Sequence, residues 1–196
     1  MKLQRDFYMR DAITVARELI GKKLVHRSAD GITGGIIVEA EAYMGSIDAA
    51  AHSFKGRTRR TEIQYAEGGR AYIYMIYGMH ICFNVTTNAV DVPEAVLIRA
   101  LEPVDGIDLM KIRRNRNALR ELCNGPGKLT RALAITMSDY GVDLCGDELF
   151  IETTDRTVEI DSARRINVDY AGAAAEFPWR FLMHGSNFVS VPINSP

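Results

Sequence analysis

The strongest constraint on the fold of this chain is a stretch with the alternation of a β-strand, which runs from Gly34 to Tyr43. Successive side chains of a strand point to opposite faces. One face then carries only small apolar side chains, which predicts a packed interior on that side: Val38, Ala40 and Ala42. Glu39, Glu41 and Tyr43 share the other face, which either meets water or forms the wall of a cleft. At two residues apart on a strand the carboxylates are separated by about 7 Å, close to the spacing that hydrolases of glycosidic bonds use.

Segments with strand character outnumber helical segments in the rest of the chain. Helical periodicity and helix-ending residues predict helices over 11–20, 105–116 and 127–135. Apolar runs between turn residues predict strands at 23–26, 34–43, 71–77, 81–87, 95–101, 148–152, 157–160, 164–168, 179–183 and 188–191. The 196 residues suffice for one core, and no repeat or linker divides them. We expect a single α+β domain over residues 1–196, built around a curved, mostly antiparallel β-sheet with peripheral helices and a protruding β-hairpin.

The hairpin predicted around Gly78 has an unusual tip. Tyr77 and Met79 place bulky apolar groups where turns are normally polar. Tyr72 and Tyr74 share one face of the preceding strand, and Tyr77 has the opposite parity. Tyrosines in this pattern are compatible with an ordinary core strand. An apolar wedge beside a basic segment is also what a protein needs to separate stacked bases in DNA.

The net charge of −1 conceals an uneven distribution. Residues 51–131 hold 13 basic and 8 acidic side chains, whereas residues 132–163 hold 1 basic and 8 acidic side chains. A protein that binds a polyanion needs one positive face and not a positive total. The candidate contacts to DNA phosphates lie in the loop 55–60 and in the helix that follows Gly125: Arg57, Arg59, Arg60 and Lys128. A solvated surface without a partner is the alternative for these charges.

Several classes of protein and site lack support in the sequence. No apolar run approaches a membrane span of about 18 residues, and Met1–Asp6 leads into no apolar segment of a secretory signal. We therefore expect a cytoplasmic protein without a membrane partner. The three cysteines are odd in number and widely spaced, which indicates free thiols. The four histidines have no neighbours at metal-ligand spacing, so we expect neither a metal nor a cofactor.

A series of short motifs runs through nearly the whole chain: Val38–Tyr43, Ala51–Ser53, Tyr72–His80, Asn84–Val85, Val96–Pro103, Asn124–Leu129 and Pro178–Phe181. In sequence and in order these motifs resemble the alkyladenine type of 3-methyladenine DNA glycosylase, in the methylpurine-DNA glycosylase family. The resemblance implies an enzyme of base-excision repair that flips alkylated or deaminated purines out of double-stranded DNA. Hydrolysis of the N-glycosidic bond would then leave an abasic site.

The resemblance also implies roles for individual residues. Glu41 would be the general base that deprotonates the attacking water, and its charge would stabilise the positive sugar of the transition state. Arg99 would help to hold that water and would keep Glu41 ionised. Tyr77 would fill the gap that the flipped nucleotide leaves in the duplex. Asn84 would exclude the 2-amino group of normal guanine.

In the same family pattern Tyr43, His52 and Tyr74 would form the pocket that stacks on the flipped base. Aromatic faces favour a cation, so an N-alkylated purine would bind better than a normal purine.

No lysine lies within the pocket motifs, which predicts a monofunctional glycosylase without Schiff-base chemistry. We expect a monomer that works on DNA in the nucleoid.

Two other functions are compatible with these residues. A non-catalytic module could use the same wedge and basic face to bind lesions or bent DNA. A hydrolase of free nucleosides or glycosides could use Glu39 and Glu41 as a pair of acids.

Overall fold

The computed structural model describes residues 1–193, which form an α+β structure around one eight-stranded sheet. The strands are β1 (Lys23–Ser28), β2 (Gly31–Tyr43), β3 (Ala71–Ile76), β4 (His80–Thr87), β5 (Glu94–Asp105), β6 (Leu149–Glu152), β7 (Ile160–Ala163) and β8 (Arg180–Met183). The helices are α1 (Arg5–Tyr8), α2 (Ala12–Leu19), α3 (Ile107–Arg114) and α4 (Pro126–Leu133). The paired strands run antiparallel, and the predicted fold class is confirmed.

Strand β2 occupies the middle of the sheet, whose order is β3-β4-β5-β2-β1-β6. One edge of β2 is paired with β5. The other edge is paired first with β1 and then with β8. The segment that carries the two glutamates is therefore covered by strands on both edges. The predicted hairpin is β3–β4, and β3 ends the order on that side of the sheet.

The pairing of β2 with β5 contains three register shifts, and two of them flank Glu39. Between Ile37 and Ala40 the register skips Val38 on β2 and Arg99 on β5, and the ladder continues beyond them. Bulges re-aim side chains and are frequent next to active sites. They also correct the predicted alternation, because Ile37 lies with Ala40 and Ala42 in the main core, whereas Val38 packs in a separate small cluster.

The main core lies between the sheet and the helices α2 and α4. The side chain of Asp11 accepts a hydrogen bond from the N–H of Thr14 at 2.9 Å and caps α2. Pro126 begins α4 at a position where its missing N–H costs nothing. All three predicted helices are confirmed to within two residues at each end.

Two segments predicted as strands are loops: 164–168 and 188–191. Their backbone bonds to buried carboxylates and not to a neighbouring strand. The N–H of Ile166 donates to Glu41 and the N–H of Ser190 donates to Glu39. The apolar residues that indicated strands are therefore explained by burial alone. The strand predicted at 157–160 is displaced, since β7 only begins at its last residue.

Cys82, Cys123 and Cys145 are free thiols, as their odd number and wide spacing predicted. Among residues 1–193 no helix combines the length and the hydropathy that crossing a bilayer requires.

Candidate active site

Glu39 and Glu41 are completely buried, so neither meets water or forms an exposed cleft wall, as their strand face had been predicted to do. They lie with Arg99 and Arg180 in a group of two carboxylates and two guanidinium ions, which we call the charge cluster. Buried charges are tolerated when they are paired and hydrogen-bonded. The shared face of Glu41 and Tyr43 was predicted correctly, because the Tyr43 hydroxyl donates to Glu41 Oε2 at 2.9 Å.

Glu39 accepts four hydrogen bonds in the charge cluster and from the adjacent Ser190. Its Oε1 accepts from Arg99 Nε at 3.2 Å, Arg180 Nη1 at 3.0 Å and Ser190 Oγ at 2.9 Å. Its Oε2 accepts from the N–H of Ser190 at 2.6 Å. A carboxylate oxygen offers about two lone-pair positions, so Oε1, with three donors, is crowded, whereas Oε2 has a single donor.

Glu41 has fewer donors. Its Oε2 accepts from the Tyr43 hydroxyl and from Arg99 Nη1, the latter at 3.3 Å. Its Oε1 accepts from the N–H of Ile166 at 2.7 Å. Three donors leave one of about four lone-pair positions for a further donor. Oε1 of Glu41 thus keeps an acceptor position for a proton of a water molecule. All three partners of Glu41 line a cavity, whereas Arg180 and Ser190, which bond to Glu39, do not.

Arg99 links the two carboxylates. Burial by itself lowers the pKa of Arg99, but the charges of Glu41 and Glu39 outweigh burial and raise that pKa above its usual value. The guanidinium is therefore permanently charged where it faces both acids. Its position on a bulge of β5 brings it to the side of the sheet that holds Glu39 and Glu41.

A cleft of about 1110 Å³ lies next to the charge cluster. It brings together most of the residues predicted for the site: Tyr43, His52, Arg60, Tyr74, Tyr77, Asn84, Arg99 and Lys128. Glu41 lies behind this lining, bonded to Tyr43 and Arg99. Motifs that are far apart in the chain therefore meet at one place.

The rings of His52, Tyr72 and Tyr74 form an aromatic wall in the cleft. The His52 Nδ1 lies 2.8 Å from the Tyr72 hydroxyl oxygen, and the His52 and Tyr74 rings pack edge to face with centroids 4.6 Å apart. Burial, and then the charge of Arg60, lower the pKa of His52 to about 4, so the ring is neutral at pH 7. The Arg60 guanidinium lies 4.8 Å from the centre of the Tyr74 ring, a cation–π contact. Tyr72 was not among the predicted site residues, although its parity with Tyr74 pointed to it.

The ring of Tyr43 rests on Arg165, whose guanidinium is 4.8 Å from the ring centre. Arg165 and Asp48 form a completely buried ion pair with contacts of 2.5 and 2.8 Å. The next residue, Ile166, provides the N–H that bonds to Glu41. Burial, and then the charge of Glu41, raise the pKa of Tyr43 well above its usual value, so its hydroxyl stays a donor. No sequence motif indicated Arg165 or Asp48.

Asn84 and the hairpin tip (Tyr77–Met79) differ in their exposure to solvent. Asn84 is buried, and its Nδ2 donates to the carbonyl of Tyr72 at 3.0 Å, which fixes the side chain in the cleft lining. Tyr77 is 79% exposed and Met79 is 72% exposed. Tyr77 has a φ of +53°, an uncommon conformation for a bulky residue. The tip therefore holds two large apolar side chains out into solvent.

The four basic residues predicted to contact phosphates are placed differently. Arg60 and Lys128 line the cleft. Arg59 lines a neighbouring groove. Arg57 is partly neutralised, because its Nη2 donates to Glu62 at 3.2 Å.

An apolar hairpin tip, an aromatic cleft, a carboxylate and an arginine behind it, and basic side chains at its border together define a class of protein. These features are the ones expected of an enzyme that separates stacked bases, holds one base outside the duplex and acts on it.

Comparison with known proteins gives the family. Residues 6–187 match the family model described as methylpurine-DNA glycosylase (MPG), and the chain belongs to this family. A protein from Bacillus cereus is 50% identical over 204 residues, which cover 97% of this chain and 99% of the relative. Relatives from Desulfitobacterium hafniense and Bacillus cytotoxicus are 46% and 47% identical, over 97% of this chain and 98% and 100% of their own lengths. All three bear the name "Putative 3-methyladenine DNA glycosylase".

Membership of the family confirms the function predicted from the motifs. The protein is a DNA-repair glycosylase, a hydrolase of N-glycosyl bonds that is monofunctional. DNA is its substrate. The alternative of a non-catalytic lesion-binding module is not favoured.

Proposed function

We propose that the protein excises alkylated and deaminated purines from double-stranded DNA, with Glu41 as the general base. The observation that carries this proposal is the bonding of Glu41, which is held by Tyr43, Arg99 and the N–H of Ile166 with one acceptor position left over. The names of the relatives point to 3-methyladenine as a substrate.

In the proposed reaction a water molecule takes the remaining acceptor position of Glu41. Its oxygen forms a bond to the sugar C1′ while the C1′–N bond breaks and its electron pair leaves with the base. The proton of the water passes to Glu41. Before this proton transfer, the negative charge of Glu41 stabilises the positive charge that develops on the sugar. Glu41 has no exposed surface, so the proposed reaction requires the cleft lining to shift before a water molecule can reach it.

Recognition of the base is assigned to the aromatic residues Tyr43, His52 and Tyr74. A neutral His52 stacks on a cationic purine without charge repulsion. Arg60 already covers one face of Tyr74, so a cationic base stacking there would take the place of a planar cation. Asn84, fixed by its bond to the Tyr72 carbonyl, is assigned the exclusion of the guanine 2-amino group.

Binding of the duplex is assigned to the hairpin tip and to the basic border of the cleft. Tyr77 would occupy the gap left by the flipped nucleotide. The phosphates would be contacted by Arg59, Arg60 and Lys128, and by Arg57 after its release from Glu62.

We infer a monomer, since one chain supplies all the residues of the proposed site; light scattering of the enzyme on DNA tests this. We place the enzyme with the DNA of the nucleoid.

Base release from methylated duplex DNA tests the proposal, with wild type, Glu41→Gln and Glu39→Gln compared by chromatography. A general base contributes about 10²- to 10⁴-fold, so Glu41→Gln should release 3-methyladenine at least about 100-fold more slowly. Glu39→Gln should retain base release, because Glu39 does not line the cleft and is connected to it through Arg99.

Each alternative predicts a different result. Loss of activity in both folded variants would favour a mechanism with two acids. Absence of release from wild type, together with salt-sensitive binding to abasic DNA, would favour the binding module.

A further inference from the structure

We propose that His26, Asp139 and Glu148 form a binding site for one Zn²⁺ ion or a similar transition-metal ion. One ligand atom of each residue lies within 4.8 Å of the others, although the residues are far apart in the sequence. The ligands come from β1, from the turn Met137–Asp139 and from the residue before β6. The glycosylase reaction uses none of them, and the expectation of no metal rested on sequence spacing alone.

His26 is placed as a metal ligand. It is 3% exposed, and its Nδ1 lies 2.7 Å from the carbonyl oxygen of Leu133. A carbonyl only accepts, so Nδ1 carries the proton, and in a neutral imidazole Nε2 is then the nitrogen that offers a lone pair to a metal. Nε2 faces Asp139 Oδ1 at 3.9 Å. Metal-binding histidines are typically fixed in this way by a bond from the other ring nitrogen.

Asp139 is fixed in the same manner. Its Oδ2 accepts from the N–H of Thr136 at 2.6 Å, within a capping box. The other oxygen, Oδ1, is the one that faces His26. Among the described residues Oδ1 has no hydrogen-bond donor, and the carboxylate is almost completely buried. This oxygen is therefore available as a ligand for a cation.

Glu148 supplies an exposed side to the site. Its carbonyl accepts from the N–H of Arg27 at 2.8 Å, which fixes its backbone next to His26. No ion pair of Glu148 is found within residues 1–193, and one of its carboxylate oxygens lies within 4.8 Å of the ligand atoms of His26 and Asp139. The site therefore has two buried ligands and one exposed ligand.

The ligand chemistry selects the class of metal. Ca²⁺ and Mg²⁺ prefer oxygen ligands alone, whereas an imidazole with two carboxylates suits Zn²⁺ and its neighbours. In a tetrahedral zinc site, bonds of about 2.1 Å put the ligand atoms about 3.4 Å apart. The distance of 3.9 Å between His26 and Asp139 is close to this value. The site also accounts for some of the acidic residues in the segment 132–163, which the glycosylase function leaves unused.

A bound ion would join the segment after α4 to strand β1. That segment begins with Ala134, Ile135 and Thr136, which line the cleft. The expected consequence is a more stable protein with a more rigid cleft wall.

The test uses the full-length protein, stripped of metals with a chelator and then titrated with Zn²⁺ by calorimetry. Wild type should bind one equivalent, and Glu148→Gln should bind at least about ten-fold more weakly. Glu148 is exposed, so this variant should fold. Asp147→Asn is the matched control, because Asp147 is also exposed and pairs with Lys2 at the surface. Asp139→Asn should lose binding as well.

Two further measurements separate this site from others. Zn²⁺ should raise the melting temperature of wild type, Asp147→Asn and Glu41→Gln, and not that of Glu148→Gln. Co²⁺ should give visible absorption bands in wild type that Glu148→Gln lacks. Absence of saturable Zn²⁺ binding to wild type would overturn the proposal, and so would equal affinity in Glu148→Gln and Asp147→Asn.

Discussion

Glu39 and Glu41 show how the surroundings of a side chain separate two identical groups. Both are buried on one strand, and both face Arg99. Glu39 is bonded to two arginines and to both donors of Ser190, and of these partners Arg180 and Ser190 lie outside the cleft lining. The three partners of Glu41 all line the cleft. The position of these partners thus distinguishes a structural acid from a proposed catalytic one.

At the residue scale, His52 should make stability depend on pH. Its pKa is lowered from 6.5 to about 4 in the folded protein, so between these values the unfolded chain binds a proton that the folded protein does not. The free energy of unfolding therefore decreases as the pH falls from about 6.5 toward 4. Urea unfolding at pH 7.0 and pH 4.5 should show a smaller decrease for His52→Asn than for wild type.

The control for this measurement is His184→Asn, which removes a largely exposed histidine beside Asp161. Equal pH dependence in wild type and His52→Asn would contradict the assignment.

At the scale of elements, the β3–β4 hairpin is built as a wedge. Its tip carries Tyr77 and Met79 far into solvent, so these side chains contribute little to folding. A stacked aromatic ring is worth about 1–3 kcal/mol against nucleic-acid bases. Tyr77→Ala should therefore slow base release from duplex DNA by about five- to 150-fold, with the melting temperature unchanged. Tyr77→Phe keeps the ring and should retain the rate, and an unimpaired Tyr77→Ala would exclude the wedge.

The loop 164–168 depends on one buried ion pair. Arg165 binds Asp48, supports Tyr43 and precedes the N–H that bonds to Glu41. Removing one member of a buried pair leaves an uncompensated charge and costs about 3–5 kcal/mol. Asp48→Asn should lower the free energy of unfolding by this amount in urea titrations.

The matched control for Asp48→Asn is Glu176→Gln, which breaks the exposed pair of the adjacent Arg164. Such surface pairs are worth about 0–1 kcal/mol. Similar losses in the two variants would show that the buried pair does not hold the loop.

At the scale of the whole molecule, one core joins residues from Leu3 to Phe181. We predict a single cooperative unfolding transition, with equal calorimetric and van't Hoff enthalpies. Leu101→Ala in the core should cost about 2–5 kcal/mol and shift that one transition. Val104→Ala, on the same strand and 40% exposed, should shift it far less. Two separate transitions would disprove a single domain over the chain.

The local features of this molecule followed from the sequence. The helices, the hairpin, the shared face of Glu41 and Tyr43 and the exposed Tyr77 all depend on residues that are neighbours in the chain. Periodicity and turn chemistry act over such short distances. The motifs and their order were also sufficient to identify the family, because they contain the residues to which the family resemblance assigns the chemistry.

Only the tertiary structure decided the surroundings of the site. The burial of both glutamates, the bulge at Arg99 and the pairing of Arg165 with Asp48 join segments that are distant in sequence. The segments 164–168 and 188–191 have strand patterns but form loops, because the N–H groups of Ile166 and Ser190 donate to buried carboxylates and not to a neighbouring strand. The grouping of His26 with two distant acids has the same origin. Sequence periodicity reports which side chains share a face, whereas the free energy of burying a charge depends on every group that the fold brings to it.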